Sequence, residues 1–275
     1  MRIDAHQHFW AIARGDYGWL TPQLGSLWRD FGPGDLAPLI RAAGVEGTIL
    51  VQAATTEAET DWMLAQAEAC PWVLGVVGWT DFEAWDAPDR IARMARNPKL
   101  KGLRPMIQDI PDPEWMLGDA LSPAFDAVQS RGLVFDALVR PPQLPALRAL
   151  LDRRPDMAVV IDHAAKPAIA EGRIEDWADD MAAIARDSRA WCKLSGLVTE
   201  AGADWTVARL RPYVDHLLAT FGPERLIWGS DWPVCTLAAS YAQWVEATDA
   251  LLAALTAAGR DAVLGGNAIA AYGLT

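Results

Sequence analysis

Short runs of β-branched and apolar residues recur along the chain. Each is followed by a longer stretch in which Ala and Leu are interspersed with Arg, Asp and Glu. Eight runs read as strands: Arg2–Phe9, Gly47–Ala53, Trp72–Trp79, Leu100–Met106, Leu133–Val139, Ala158–His163, Ala190–Leu197 and Arg225–Ser230. Between them Glu57–Cys70, Ala87–Ala95, Pro123–Ser130, Leu144–Leu151, Ile174–Ala185 and Pro212–Ala219 read as helices. Tyr241–Ala258 reads as the last long helix, and Gly265–Tyr272 as a short terminal helix or tail. Strands alternating with helices imply right-handed crossovers and a parallel sheet. Eight such units close into an α/β fold of the (β/α)8 TIM-barrel type. Two connections are too long for tight βα turns, Ala11–Gly34 and Ile107–Leu121. Both hold tryptophans, which predicts ordered, elaborated loops rather than disorder.

The 275 residues fit this barrel as one domain spanning 1–275. The formal net charge of −12 argues against nucleic acid, whose phosphates need a basic face. No stretch approaches the ~18 uncharged apolar residues of a membrane span. Cys70, Cys192 and Cys235 are odd in number and widely spaced, which is neither a disulfide framework nor a zinc ribbon. They suit a reducing compartment. The opening MRIDAHQHFW has two His and an Asp where a signal peptide would have an apolar run, so a cytoplasmic location is expected.

Candidate chemistry gathers at strand ends. His6 and His8 are two residues apart, so on a strand both imidazoles point to one side. Near the C-terminal mouth of a barrel they would face the site; otherwise they are surface histidines. Asp231, in IWGSDWP, follows the eighth run as a general base, a metal ligand or a turn residue. The first and eighth strands are neighbours in a closed barrel, which favours the first two readings. His163, in VVIDHAAKP, ends the sixth run as a site residue or a satisfied core histidine. Arg104 in KGLRP and Lys193 in CKLSG are cations at strand ends that need partners. Arg104 reads as a substrate clamp, and Lys193 as either a clamp or an ion-pair member. His216 falls inside a helical pattern and reads as structural. Of the 14 tryptophans, Trp10, Trp79 and Trp232 lie beside strand ends. Their flat faces and N–H donors suit sugar stacking as well as loop packing. Trp62, Trp177 and Trp244 fall on helices and read as packing.

Taken together, DAHQHFW, KGLRPMIQ, IDHAAKP, KLSGLVTEA and GSDWPV resemble the amidohydrolase superfamily, in the branch that includes sugar lactonases. The resemblance runs from Arg2 to about Tyr272. It implies a barrel that opens a small-molecule sugar lactone with water activated at the mouth. Asp231 would be the general base, with His163 and Arg104 polarising the carbonyl. Trp10, Trp79, Trp232 and Lys193 would contact the sugar. Members holding a metal firmly present H-x-H on the first strand, histidines on the fifth and sixth, and an Asp on the eighth. Here the fifth strand, LVFDALV, offers Asp136 and no His. His6, His8 and Asp231, with His163 as a further ligand, therefore form an incomplete set. One divalent metal, zinc favoured, is expected to be bindable but not essential. A zinc-dependent decarboxylase of the same superfamily is the nearest alternative, and the missing histidine counts against it. A non-catalytic sugar-binding barrel is the other, and four ionisable groups at three strand ends count against that.

Overall fold

Strands rich in Val, Ile and Leu on both faces need cover on both sides, and a parallel sheet closed on itself provides it. In the computed structural model, which describes residues 1–275, the strands are β1 (Ile3–Gln7), β2 (Gly47–Val51), β3 (Val73–Gly78) and β4 (Leu100–Leu103). They continue as β5 (Val134–Ala137), β6 (Val159–Ile161), β7 (Trp191–Leu194) and β8 (Leu226–Trp228). All pair in parallel and in chain order. The last gap is closed beyond the end of β8. There the Asp231 N–H donates to the His6 carbonyl at 2.7 Å, and the His8 N–H donates to the Trp232 carbonyl at 2.7 Å.

Around the strands run α1 (Pro33–Ala42), α2 (Glu57–Ala69), α3 (Ala87–Met94), α4 (Ser122–Ser130), α5 (Leu144–Arg153) and α6 (Glu175–Asp187). After β7 come α7 (Leu197–Ala201) and α8 (Val207–Phe221), and after β8 come α9 (Tyr241–Leu251), α10 (Ala257–Asp261) and α11 (Asn267–Tyr272). Thr56, Thr206, Ser240 and Thr256 cap α2, α8, α9 and α10 by accepting the backbone N–H three residues on. Each such cap contributes about 1 kcal/mol.

Several elements differ from the sequence reading, among them the short α7, which starts at Leu197 where the seventh strand run was expected to end. Helix α1 lies where no helix was assigned; its signals are Pro33 at the first position and Asp35 accepting from the Gly32 N–H. Helix α8 begins five residues before Pro212, because Thr206 supplies the cap and Pro212 sits inside. The stretch from Tyr241 is not one helix: it breaks after Leu251, and Thr256 starts α10 afresh. No helix is long and apolar enough to cross a membrane. All three cysteines are free.

The core has two compartments that follow strand alternation. Leu50, Val76, Phe135 and Trp228 belong to a large cluster between sheet and helices. Ile49, Val51, Val77, Val134, Val160 and Ile227 form a smaller cluster on the inner face. Ala268, Ala271, Tyr272 and Leu274 join that inner cluster, so α11 plugs the barrel from the end opposite the strand C-termini.

Candidate active site

The site is built on the closing seam. The register of β1 shifts between Asp4 and Gln7, which turns Asp4 outward and His6 inward. Asp4 accepts from the Ser230 N–H at 2.8 Å and from the Tyr241 hydroxyl at 3.1 Å, tying β1 to the chain after β8. Burial pushes its carboxyl up to about 6 despite these bonds. Gly229 allows the close approach, since a Cβ there would lie 2.7 Å from the His6 Cβ. Asp231 follows with φ 58, the left-handed region that Asp and Asn tolerate best among side-chain-bearing residues.

One carboxylate oxygen is the hub. Asp231 Oδ1 lies 3.3 Å from His8 Nε2, 3.8 Å from His6 Nε2 and 3.9 Å from His163 Nε2. Burial alone would raise this carboxyl, but the His163, His8 and His6 rings outweigh it and hold Asp231 well below the usual range. His8 Nδ1 lies 2.8 Å from the Val51 carbonyl, which can only accept, so Nδ1 carries a proton, and Nε2 is the nitrogen that faces Asp231. An imidazole nitrogen 3.3 Å from a carboxylate oxygen leaves room for a proton or a cation between them.

His163 arrives by an unusual route. Strand β6 ends at Ile161, and His163, Ala164, Ala165 and Lys166 then all have φ between 51 and 57. Each left-handed residue costs about 1–2 kcal/mol, so the turn carries several kcal/mol of strain. It is held by Trp177 Nε1, which donates to the Ala164 carbonyl at 2.7 Å, and by Ser195 Oγ, 2.9 Å from His163 Nδ1. Gly196 leaves room for the ring, because a Cβ there would lie 2.8 Å from His163 Nδ1. Burial pushes His163 down to about 4, so its imidazole is neutral near pH 7.

Beneath the hub is a buried ion network. Arg104 NH1 donates to Asp162 Oδ2 at 3.1 Å and lies 3.3 Å from His6 Nε2. Arg104 NH2 is anchored on the carbonyl and side-chain oxygens of Gln52. Lys193 Nζ sits 2.6 Å from Asp136 Oδ2, 2.9 Å from Asp162 Oδ1 and 3.2 Å from His6 Nδ1. The Tyr272 hydroxyl, from α11, reaches both Asp136 oxygens at 2.9 and 3.0 Å. Burial pushes Asp136 up to about 6, against the pull of Lys193. Asp162 is pulled well below its usual range, because Lys193, His6 and Arg104 outweigh its burial. Burial, with Lys193 adding to it, drives His6 well below its usual value.

Above the hub is a cavity of about 280 Å³ at the strand C-termini. His8, Arg104, His163 and Asp231 line its floor, and Lys166, Gln108 and Asp109 add polar groups. Leu24, Leu27, Val234 and Leu237 form an aliphatic wall, and Trp19 stands at the rim with its N–H on the Ala53 carbonyl at 2.6 Å. His6, His8, His163, Arg104 and Asp231 thus meet at one mouth. Lys193 does not reach the cavity: it is fully buried within β7, so its expected substrate contact gives way to an ion-pair role. Trp10 and Trp232 do not line it either. Trp10 is buried against Trp19 and Phe31 with its N–H on the Arg29 carbonyl, and Trp232 is edge-on to Phe9 and Phe31. Trp79 lines an adjoining groove instead. His216 bonds the Ala178 carbonyl on the outer helices.

Sequence reasoning passed over Trp19, Asp162, Ser195 and Gln52. Two of them lay inside the quoted motifs, Asp162 beside His163 and Ser195 in KLSG. Gln52 carried no signal beyond its place near the end of the second run, and Trp19 none beyond its place in the long, tryptophan-bearing first loop.

The residues present fit a divalent cation. One ligand atom each from His6, His163 and Asp231 lies within 4.8 Å of the others, all buried. His8 Nε2 faces the same oxygen at 3.3 Å. Asp136 on β5 is committed to Lys193 and Tyr272, so that strand adds no ligand.

A curated protein named L-fucono-1,5-lactonase from Burkholderia ambifaria is 46% identical over 98% of this chain and 95% of its own length. A second protein of that name, from Burkholderia multivorans, is 38% identical over 100% of this chain and 96% of its own. A crystal structure of an amidohydrolase from Burkholderia multivorans with bound zinc superposes with a TM-score of 0.94, at 37% identity over the whole of both chains. The family pattern described as amidohydrolase matches residues 3–274. By that match over nearly its whole length, and by these relatives, the chain belongs to the amidohydrolase family.

Proposed function

We propose that this chain is a lactonase that opens the ring of a sugar-derived, aldonic-acid lactone, with residues 1–275 acting as one catalytic unit. The observation that carries the reading is the Asp231 carboxylate ringed by three imidazoles on the floor of a cavity sized for one sugar ring. The 46% identity to a named L-fucono-1,5-lactonase supports L-fucono-1,5-lactone as the first substrate to test.

The lactone carbonyl would lie over the hub, and water would attack its carbon. A new C–O bond forms, and the water proton passes to Asp231. A carboxylate held this far down keeps a proton poorly, so the proton passes on to His8 Nε2, 3.3 Å away. The oxyanion is stabilised by the Arg104 guanidinium and by His163 when its Nε2 carries the proton. One such preorganised donor is commonly worth ~3 kcal/mol. The ring C–O bond then breaks, and the departing oxygen takes the proton held by His8 to become a hydroxyl. The new carboxylic acid ionises and releases one proton to solvent.

A divalent metal, zinc favoured, would be held by His6, His163 and Asp231 with His8 adjacent, and when bound would supply Lewis-acid polarisation. Arg104 already lies 3.3 Å from His6 Nε2 and brings positive charge to the same place, which supports a site that works without the ion. The test is acid release from L-fucono-1,5-lactone followed with a pH indicator. Proton release with ring opening is the expected result. Carbon dioxide release from an aromatic acid would point to a decarboxylase, and binding without turnover to a non-catalytic barrel.

A further inference from the structure

A groove of about 440 Å³ lies beside the cavity and shares Trp19, Ala53, Met106 and Asp109 with it. Both long loops build it: Trp19 comes from the first, Trp115 from the second, and Trp79 from the chain after β3. Between the tryptophans stand Asp16, Asp81 and Glu83, and no Lys or Arg lines the groove. Asp16 is fixed through Oδ2, which accepts from Arg14 and Thr56 at 2.7 Å each. Its Oδ1 is buried with no partner in the protein.

Flat apolar faces edged by hydrogen-bond acceptors match a pyranose, which has C–H faces and hydroxyl edges. Arg14 balances Asp16, but Asp81 and Glu83 have no cation partner and repel an anionic ring. The cavity over the hub is just under the ~300–1,000 Å³ typical of ligand pockets, whereas cavity and groove together fall well within that range. We propose that the groove is a second carbohydrate subsite. It takes a neutral pyranosyl group attached to the lactone through a hydroxyl remote from the carbonyl. Glycosylated aldonolactones are then preferred over the bare lactone; the ring ester is opened as before and the glycosidic bond is untouched. This rests on the lactonase reading.

The test compares an aldonolactone with the same lactone carrying a neutral glycosyl group, and with uronosyl and aminoglycosyl analogues. The variants are Trp115→Ala and Glu83→Gln, whose side chains line the groove and not the cavity. Stacking of this kind is worth about tenfold, so kcat/KM should rise about tenfold for the neutral glycosyl lactone, through KM. Both variants should erase that gain while leaving the bare lactone's rate unchanged, and the uronosyl analogue should lack the gain. Glu83 is exposed, so its variant remains informative if loss of Trp115 disturbs folding. Turnover of the bare lactone with no gain from the glycosyl group overturns the subsite alone, as does a gain that neither variant alters. A gain confined to the aminoglycosyl analogue overturns the neutral assignment. No turnover of any lactone overturns both readings.

Discussion

Replacing Asp231 by Asn is the most direct test of the hub, because the backbone there is indifferent to the change. The two bonds that anchor this position, Asp231 N–H to the His6 carbonyl and Cys235 N–H to the Asp231 carbonyl, are main-chain at 2.7 and 2.8 Å. Asn adopts φ near 58 as readily as Asp, so the turn should form without new strain. What is lost is the anionic oxygen 3.3–3.9 Å from three imidazoles. The neighbouring carboxylate beneath the hub cannot replace it, since Asp162 is engaged by Lys193 and Arg104. Removing a positioned base typically costs ~10²–10⁴-fold, so kcat should fall by about a thousandfold. Binding of an unreactive lactone analogue should persist, and the melting temperature should stay close to the parent's. The assay is the indicator-coupled initial rate on L-fucono-1,5-lactone, with analogue binding measured by calorimetry. A variant with kcat within about tenfold of the parent would refute the base role.

Three further outcomes are expected. After exhaustive chelation, with residual metal quantified in the same sample, lactone hydrolysis should continue; full loss restored by stoichiometric zinc would make His6, His163 and Asp231 obligatory ligands. Lys193→Met leaves Asp136 and Asp162 facing each other without their shared cation, which should destabilise the fold by about 3–5 kcal/mol. Adding Asp136→Asn should recover part of that in denaturant unfolding, and strict additivity of the two changes would sink the argument. Glu59, buried beneath the Ala53 and Ala54 N–H groups, is pushed by burial from 4.5 up to about 7. The folded state therefore holds this proton more tightly than the unfolded chain, so its stabilising effect is complete below about pH 4.5 and lost as pH rises through 7. Relative to Glu59→Gln, the parent should lose on the order of 3 kcal/mol across that window in urea titrations, and parallel pH profiles would count against the shift.

Alternation of strand-like and helix-like stretches carried most of the fold, because both periodicities are local. Helix α1 escaped because its Pro38 and flanking glycines mask a short apolar face made by Leu36 and Ile40. The site divides along the same line. Residues such as His6, His163 and Asp231 announce themselves by type at strand ends. The roles of Trp10, Trp232 and Lys193 depended on side-chain direction and on what a fifteen-residue or longer loop packs against, which no local pattern encodes. Trp19 illustrates this: it stands at the cavity rim because Trp10 and Phe31 pack behind the loop that carries it.

The seam between β1 and β8 has a consequence for how the protein comes into being. The side chains that meet at the hub come from far apart in the chain, His8 and Asp231 being separated by 223 residues. On the ribosome, most of the barrel can be synthesised while His6 waits for its partner. The contacts that join them have very high sequence separation, and such contacts are slow to form and late to stabilise. On the proposed mechanism, activity is therefore a report on ring closure. A nascent chain arrested before Asp231 could possess nearly every helix and strand and still have no site, and turnover should appear only once the two ends have met.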